Sequence, residues 1–361
     1  MTTTWAEARN VLCVRLDNMG DLLMTTPAIR ALKESLPGRR ITLLASRSSA
    51  KAAACIPEVD EVIAYDAPWM KHEKAMDPLA DLEMRDELQR RAFDAAAIFT
   101  VYSQSSLPAA MLCYLAGIPL RLAHCRENPY HLLTDWVRES DPAPVVRHEV
   151  RRQLDLVATV GARTQDEHLS FRVSPAGNGR AAMKLEESGL DPSRPFIVVH
   201  PGATAPSRRW RPERFAQVAR ELSMLLDFQV VVTGDASERE LAEAVRRGAG
   251  PRAWSLAGSL TLEEFAATIE MASLVLSNNT GAVHLAAALR TPVVDLYALT
   301  NPQHTPWMVA HRVLSKDVPC RNCYKSVCPE GHHLCLDGVA VDEVVAAAAD
   351  LWLEIHWRAA A

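Results

Sequence analysis

Four short segments combine polar side chains with small residues that let a ligand approach the backbone. The first, Arg15-Leu-Asp-Asn-Met-Gly-Asp21, sets Gly20 and Asp21 between an apolar run and a helical stretch. Glycine admits close approach, and a helix start favours an anion. Arg15, Asp17, Asn18 and Gly20 share this loop with Asp21, whose carboxylate can accept a proton from an attacking hydroxyl. Capping of the next helix by Asp17, Asn18 or Asp21 is the competing reading, and the local sequence does not choose between them.

The second segment, His200-Pro-Gly-Ala-Thr204, is followed by Ser207-Arg-Arg-Trp-Arg. Thr204 and nearby amides suit phosphate oxygens, and Arg208 or Arg209 can fork onto a diphosphate; a solvated basic turn with Trp210 in the core is the alternative. In the third, Gly234-Asp-Ala-Ser-Glu238, the Glu238 carboxylate suits either a ribose diol or a helix start. The fourth, Ser277-Asn-Asn-Thr-Gly-Ala-Val-His284, sets Asn279, Thr280 and Gly281 at a helix N-terminus, with amide donors for a phosphate. His284 falls about one turn further on, facing the same ligand or satisfied in the core.

Cys320-Arg-Asn-Cys323 and the later Cys328 and Cys335 follow the pattern C-x2-C-x4-C-x6-C. Four thiolates so close in sequence can enclose a structural zinc or iron ion, with His332 and His333 as alternative ligands. A loop of packed thiols or a single disulfide competes with that reading. A catalytic metal does not fit, because four thiolates close the coordination shell.

These segments need scaffolds. Apolar runs at Asn10–Leu16, Arg40–Ala45, Glu61–Tyr65 and Phe93–Thr100 alternate with helical stretches, which implies a parallel sheet. The pattern restarts at Pro195–His200 and continues through Phe228–Thr233, Leu274–Ser277 and Thr291–Tyr297. An α/β chain of two Rossmann-like domains follows: residues 1–175, a linker at 176–194 within a boundary zone of about 170–195, and a second domain at 195–340 that ends in the cysteine-rich segment 320–335. The tail 341–361 reads as a closing helix packed on the first domain. Open parallel sheets bind ligands at the carboxyl ends of their strands, so two such domains facing each other enclose a cleft.

A length of 361 residues suits two domains, and 48% hydrophobic with 23% charged residues is the make-up of a globular protein. A net charge of −5 offers no basic field for a nucleic-acid backbone, which argues against that partner. The start of the chain lacks the signature of an export signal and no apolar run is long enough to span a bilayer, so a cytoplasmic location is expected. Reduced thiols or a metal site then suit the eight cysteines better than a disulfide framework.

Taken in order, Met-Gly-Asp21, His200-Pro-Gly-Ala, Arg208-Arg-Trp, Gly234-x-x-x-Glu238 and Asn279-Thr-Gly-x-x-His284 resemble glycosyltransferase family 9, the ADP-heptose:lipopolysaccharide heptosyltransferases. The likeness runs over nearly the whole chain, including His148-Glu-Val and Leu154-Asp-Leu-Val before the linker. It implies a GT-B fold, with residues 1–175 binding the acceptor and 195–340 the nucleotide-sugar, and an inverting transfer of heptose with Asp21 as general base and no metal in catalysis. Arg208 would stand on the diphosphate where relatives commonly carry lysine, and Glu238 would meet the adenosine ribose. Thr204, Thr280, Gly281 and His284 would line the phosphates and the sugar. The implied partners are an ADP-heptose-type donor and a glycan, lipid-linked or protein acceptor, with peripheral contact at the inner membrane. Two departures stand out: Asn279 replaces the usual aspartate expected to touch the donor sugar, and Ala298–Pro302 lacks the glycine and first proline common in relatives.

Overall fold

The computed structural model describes residues 4–71, 77–142 and 146–360, so part of the segment searched for an export signal, Met1–Thr3, lies outside the described residues. Two compact units result, Met1–Phe171 and Arg172–Ala361. The first holds a parallel sheet of β1 (Asn10–Arg15), β2 (Arg40–Ala45), β3 (Glu61–Ala64), β4 (Ala95–Ile98), β5 (Leu120–Cys125) and β6 (Asp135–Arg138). Their order is β3-β2-β1-β4-β5-β6. The second holds β7 (Phe196–His200), β8 (Gln229–Val232), β9 (Ala253–Ser255), β10 (Leu274–Asn278), β11 (Val293–Leu296) and β12 (His311–Leu314), ordered β12-β11-β10-β7-β8-β9. Both sheets reverse their strand order beside the first strand of the unit, which is where open α/β sheets bind ligands.

Central strands are apolar on both faces because helices cover both sides. Leu12, Val14, Leu44 and Ile98 belong to the first unit's core; Ile197, Val199, Val230, Val232 and Leu276 belong to the second's. The edge strands are different. Asp135-Trp-Val-Arg138 and His311-Arg-Val-Leu314 are only partly buried and read as mixed polar sequence, so periodicity alone did not mark them. In β5, Arg121 is buried, and its guanidinium donates to the carbonyls of Ile118, His131 and Leu132, which conceals a strand behind a charged residue.

The connection expected at 176–194 holds the helix Pro175–Ser188 with its exit turn. Ser174 caps it by accepting from the Gly177 N–H at 3.0 Å, and Gly189 ends it at φ 96°, where a side chain would be strained. The helix packs on Leu262–Met271 in the second unit, so closely that a Cβ on Gly177 would lie 2.7 Å from the Glu263 side chain. The closing helix Val341–Ala360, expected against the first domain, buries Val344, Ala348 and Leu351 in the second unit's core beside Phe228. Its apolar stripe matches the helix Pro212–Leu225, which it contacts. No helix among the described residues is long and apolar enough to cross a membrane.

Candidate active site

In the first unit the polar loop follows β1 and feeds the helix Met19–Glu34. Asn18 is the N-cap residue but makes no side-chain capping bond, so the capping reading of the loop finds no support at Asn18. Asp21 stands in the first turn with its side chain 17% exposed, and its Oδ1 lies 3.5 Å from Arg15 Nη2. Arg15 itself is fully buried at the end of β1. It also forms ion pairs with Asp17 at 3.0 Å and Glu149 at 3.0 Å. Burial alone would lower the Arg15 pKa; the carboxylates of Asp17, Glu149 and Asp21 reverse this and raise it above its ordinary value. Glu149, which begins the helix Glu149–Ala158, is fully buried and also accepts from Gln153 Nε2 at 2.8 Å.

Asp17 accepts from Gln104 Nε2 at 2.6 Å, while its carbonyl receives Ser49 Oγ–H at 2.7 Å, so the loop is held from β4 and β2 sides alike. Two cavities adjoin it. One of about 200 Å³ is walled by Leu16, Trp69, Met70, Phe99, Gln104 and Pro108; another of about 410 Å³ is lined by Asp17, Asn18, Ser46, Tyr65 and Asp66 among others. The sequence reading grouped Arg15, Asp17, Asn18, Gly20 and Asp21 but missed Glu149 and Gln104. The motif around His148 was visible; its convergence on Arg15 depends on tertiary folding.

The second unit gathers its candidates at the carboxyl ends of β7, β8 and β10. Asn278 ties two loops together: its Oδ1 accepts from the Trp210 N–H at 3.0 Å and its Nδ2 donates to the Pro201 carbonyl at 2.7 Å. Trp210 is buried as core, so the bland reading holds for that residue. The Arg208 guanidinium makes no hydrogen bond or ion pair among the described residues, whereas Arg209 is occupied with the Ala203 carbonyl at 2.6 Å. Thr204 is exposed on the same loop.

Glu238 serves as part of a capping box: its Oε2 accepts from the Asp235 N–H at 3.1 Å while Asp235 accepts from the Glu238 N–H. Its carboxylate also lies over Gly202, where a Cβ would come within 2.1 Å of it. His200 is half-buried, with Nδ1 3.1 Å from Thr233 Oγ1 and its ring 5.4 Å from that of Phe265. Burial pushes its pKa down to about 4, so it is neutral at pH 7. A cavity of about 180 Å³ is walled by His200, Thr233, Asp235, Leu260 and Phe265.

Thr280 caps the helix Gly281–Ala288, and its Oγ1 receives the Ala282 N–H at 3.4 Å. Gly281 opens that helix, and His284 is buried one turn in, its ring edge-on to His304 at 6.4 Å. Asn279 is nearly buried; its Nδ2 donates to Asp295 Oδ2 at 2.8 Å and to the His304 carbonyl at 2.9 Å. Asp295 was not foreseen as a site residue, since it lay within an apolar run read only as a strand.

Cys320, Cys323, Cys328 and Cys335 line one cavity of about 20 Å³ with His332, and all eight cysteines are free thiols. Burial raises the Cys335 pKa, and the neighbouring three thiols add to this. The Cys320 Sγ lies 3.7 Å from His332 Nε2. Among the described residues, however, no three His, Cys, Asp or Glu side chains converge in an arrangement that holds an ion. The donor types suit zinc or iron; the positions shown do not yet form its shell.

Comparison with known proteins gives this pair of doubly wound units, with polar loops at the strand ends, a family. The profile described as glycosyltransferase family 9 (heptosyltransferase) matches residues 82–334. The chain belongs to that family and is a glycosyltransferase. It is 26% identical over 341 residues to lipopolysaccharide heptosyltransferase 2 of Escherichia coli K12, covering 91% of this chain and 94% of that one. The solved family 9 glycosyltransferase of Veillonella parvula superposes with a TM-score of 0.80 at 21% identity, covering 98% and 99% of the two chains. The E. coli heptosyltransferase WaaC, solved with ADP-2-deoxy-2-fluoro heptose, gives 0.67 at 19% identity and covers 96% and 99%. These neighbours share the GT-B fold.

Proposed function

We propose that this enzyme transfers a heptose, or a related sugar, from an ADP-sugar to an acceptor hydroxyl with inversion. The observation that carries the reading is Arg208, a guanidinium without an ion pair among the described residues, on a loop that Asn278 lashes to the strand feeding Thr280 and Gly281. A forked cation and a helix N-terminus suit a diphosphate, and both stabilise the negative charge that develops on it as the bond to the sugar breaks. Asp21 takes the proton of the acceptor hydroxyl as its oxygen attacks the anomeric carbon. The pocket of His200 and Phe265 suits an adenine ring, with Glu238 near the ribose and Thr204 and His284 near the phosphates and sugar. The ligand named for WaaC supports ADP as the nucleotide.

The name of the E. coli relative supports lipopolysaccharide as the acceptor, and the family resemblance implies its inner core, met at the cytoplasmic face of the inner membrane. Transfer to a protein or natural product is the competing reading; the alternative of a non-catalytic subunit does not fit membership of a glycosyltransferase family. Calorimetric titration of the purified protein with ADP, UDP, GDP and ADP-heptose tests the proposal. Selective binding of the adenine pair supports it; preference for a uridine or guanosine form overturns the donor, and no binding overturns the sugar-nucleotide reading.

The shared cavity of the four late cysteines favours one subsidiary proposal, a structural zinc or iron held by Cys320, Cys323, Cys328 and Cys335. Such an ion would brace the segment and take no part in transfer. Metal analysis of protein purified without affinity-column metal, beside a C320S/C323S double variant, decides it: metal in the first and none in the second is expected. No metal in either preparation removes the idea.

A further inference from the structure

Asp295 is a carboxylate in the middle of a buried sheet, and the apolar surroundings do not account for it. It lies in β11 opposite Ser277 of β10, is fully buried, and its Oδ1 has no hydrogen-bond partner among the described residues. A buried acid with an unpaired oxygen costs stability unless it serves another group. The group it meets is Asn279. Its carboxamide nitrogen spans two acceptors, Asp295 Oδ2 at 2.8 Å and the His304 carbonyl at 2.9 Å.

Those two contacts use both amide hydrogens and fix which end of the carboxamide is nitrogen. What Asn279 has left is Oδ1, an oxygen that can only accept. It sits at the carboxyl end of β10, one residue before the cap of the helix that begins at Gly281. The loop beyond β11 that carries His304 is held by further bonds: Tyr297 Oη donates to the Asn301 carbonyl and receives the His304 N–H at 3.3 Å, while Gln303 N–H donates to Asn301 Oδ1 at 2.9 Å. One carboxylate thereby orients an amide, and that amide anchors a loop.

We propose that Asp295 is a positioning residue for the donor sugar: it locks the Asn279 carboxamide so that an uncharged, acceptor-only oxygen meets a sugar hydroxyl. The inference rests on the donor-binding reading above and deepens it. An acceptor-only oxygen selects a hydroxyl at that point of the sugar and disfavours a carboxylate there, since two acceptors repel. The neutral amide needs no counter-ion, unlike an aspartate in its place. Asp295 touches no substrate; it acts through Asn279.

The test measures how much the sugar adds to nucleotide affinity, as the ratio of the dissociation constants of ADP and ADP-heptose, by calorimetry on the full chain. Asp295→Asn keeps the shape but lets either amide turn, so the ratio should fall about tenfold while ADP affinity stays unchanged. Asn279→Asp should lower it as well, because an aspartate has no N–H to give the His304 carbonyl or Asp295 and sets an ionisable group where the neutral oxygen stood. ADP binding by each variant reports that it is folded. Asn279→Ala, which keeps Asp295, should lose the sugar contribution to the same extent as Asp295→Asn. A full sugar contribution in either Asp295→Asn or Asn279→Ala overturns the inference. Failure of the donor reading itself looks different: the unaltered protein then shows no preference for ADP-heptose over ADP, or binds neither.

Discussion

Asp21 stands in the first turn of its helix, its side chain 17% exposed and its Oδ1 3.5 Å from the buried Arg15, and in the proposed reaction it receives the acceptor's proton. Asp21→Ala should therefore lower turnover by ~10²–10⁴-fold, the span for a lost general base, with ADP affinity nearly intact. Steady-state kinetics beside calorimetry checks this, and unchanged turnover would remove Asp21 from the role. Arg208→Ala should show the opposite split, weaker donor binding first. Glu149 belongs to a different kind of argument. It is buried against a buried arginine, and removing one partner of such a pair leaves a charge without compensation. Glu149→Ala is expected to cost about 3–5 kcal/mol of stability in denaturant titration. A loss below 1 kcal/mol would mean that Asp17 and Asp21 alone balance Arg15.

Among the elements, the turn from β8 into the helix Arg239–Ala249 shows how a cap and a site share atoms. Glu238 closes its capping box with Oε2 and leans over Gly202 of the next loop. Gly202→Ala should push that carboxylate aside and weaken ADP binding several-fold without unfolding the sheet, because the obstructing atoms end a flexible side chain. Retained ADP affinity would show that Glu238 does not contribute to the nucleotide. This arrangement also shows what the sequence made legible. Eight strands announced themselves as apolar runs, and the loops after β1, β7, β8 and β10 followed as places for chemistry. The strands with polar or short sequences, β5, β6, β9 and β12, did not, since pairing partners and main-chain bonds, rather than hydrophobic periodicity, hold them. Asp295 was hidden for the converse reason: its neighbours are apolar, and only the register of β10 against β11 brings it to Asn279.

For the molecule as a whole, buried titratable groups set how stability changes with pH. The His200 pKa falls from 6.5 to about 4 on burial, so the unfolded chain takes up a proton before the folded one does. Its contribution is present above pH 6.5 and is lost as pH falls toward 4. His124, buried and close to Arg152, is shifted the same way. Asp295 acts in the opposite sense: burial pushes it up to about 8 from 3.8, with the Asn279 bond opposing, so the folded chain keeps a proton the unfolded one has shed. Stability from this group is full below pH 3.8 and declines up to pH 8. Denaturation followed from pH 4 to 9 should show Asp295→Asn flattening the decline on the alkaline side; an unaltered slope would mean Asp295 is already ionised in the folded protein.

Asn278 carries a consequence for anyone who would re-engineer the enzyme. Its one side chain bolts the segment after β7 to the stretch ending at Trp210, though it lies on β10 itself. A graft of residues 200–211 into a related scaffold, made to import a nucleotide preference, is therefore incomplete as a cassette. Without an asparagine at the recipient's equivalent of 278, the transplanted loops lose their common fastening, and a chimera judged inactive for its new ligand would have failed for want of one amide.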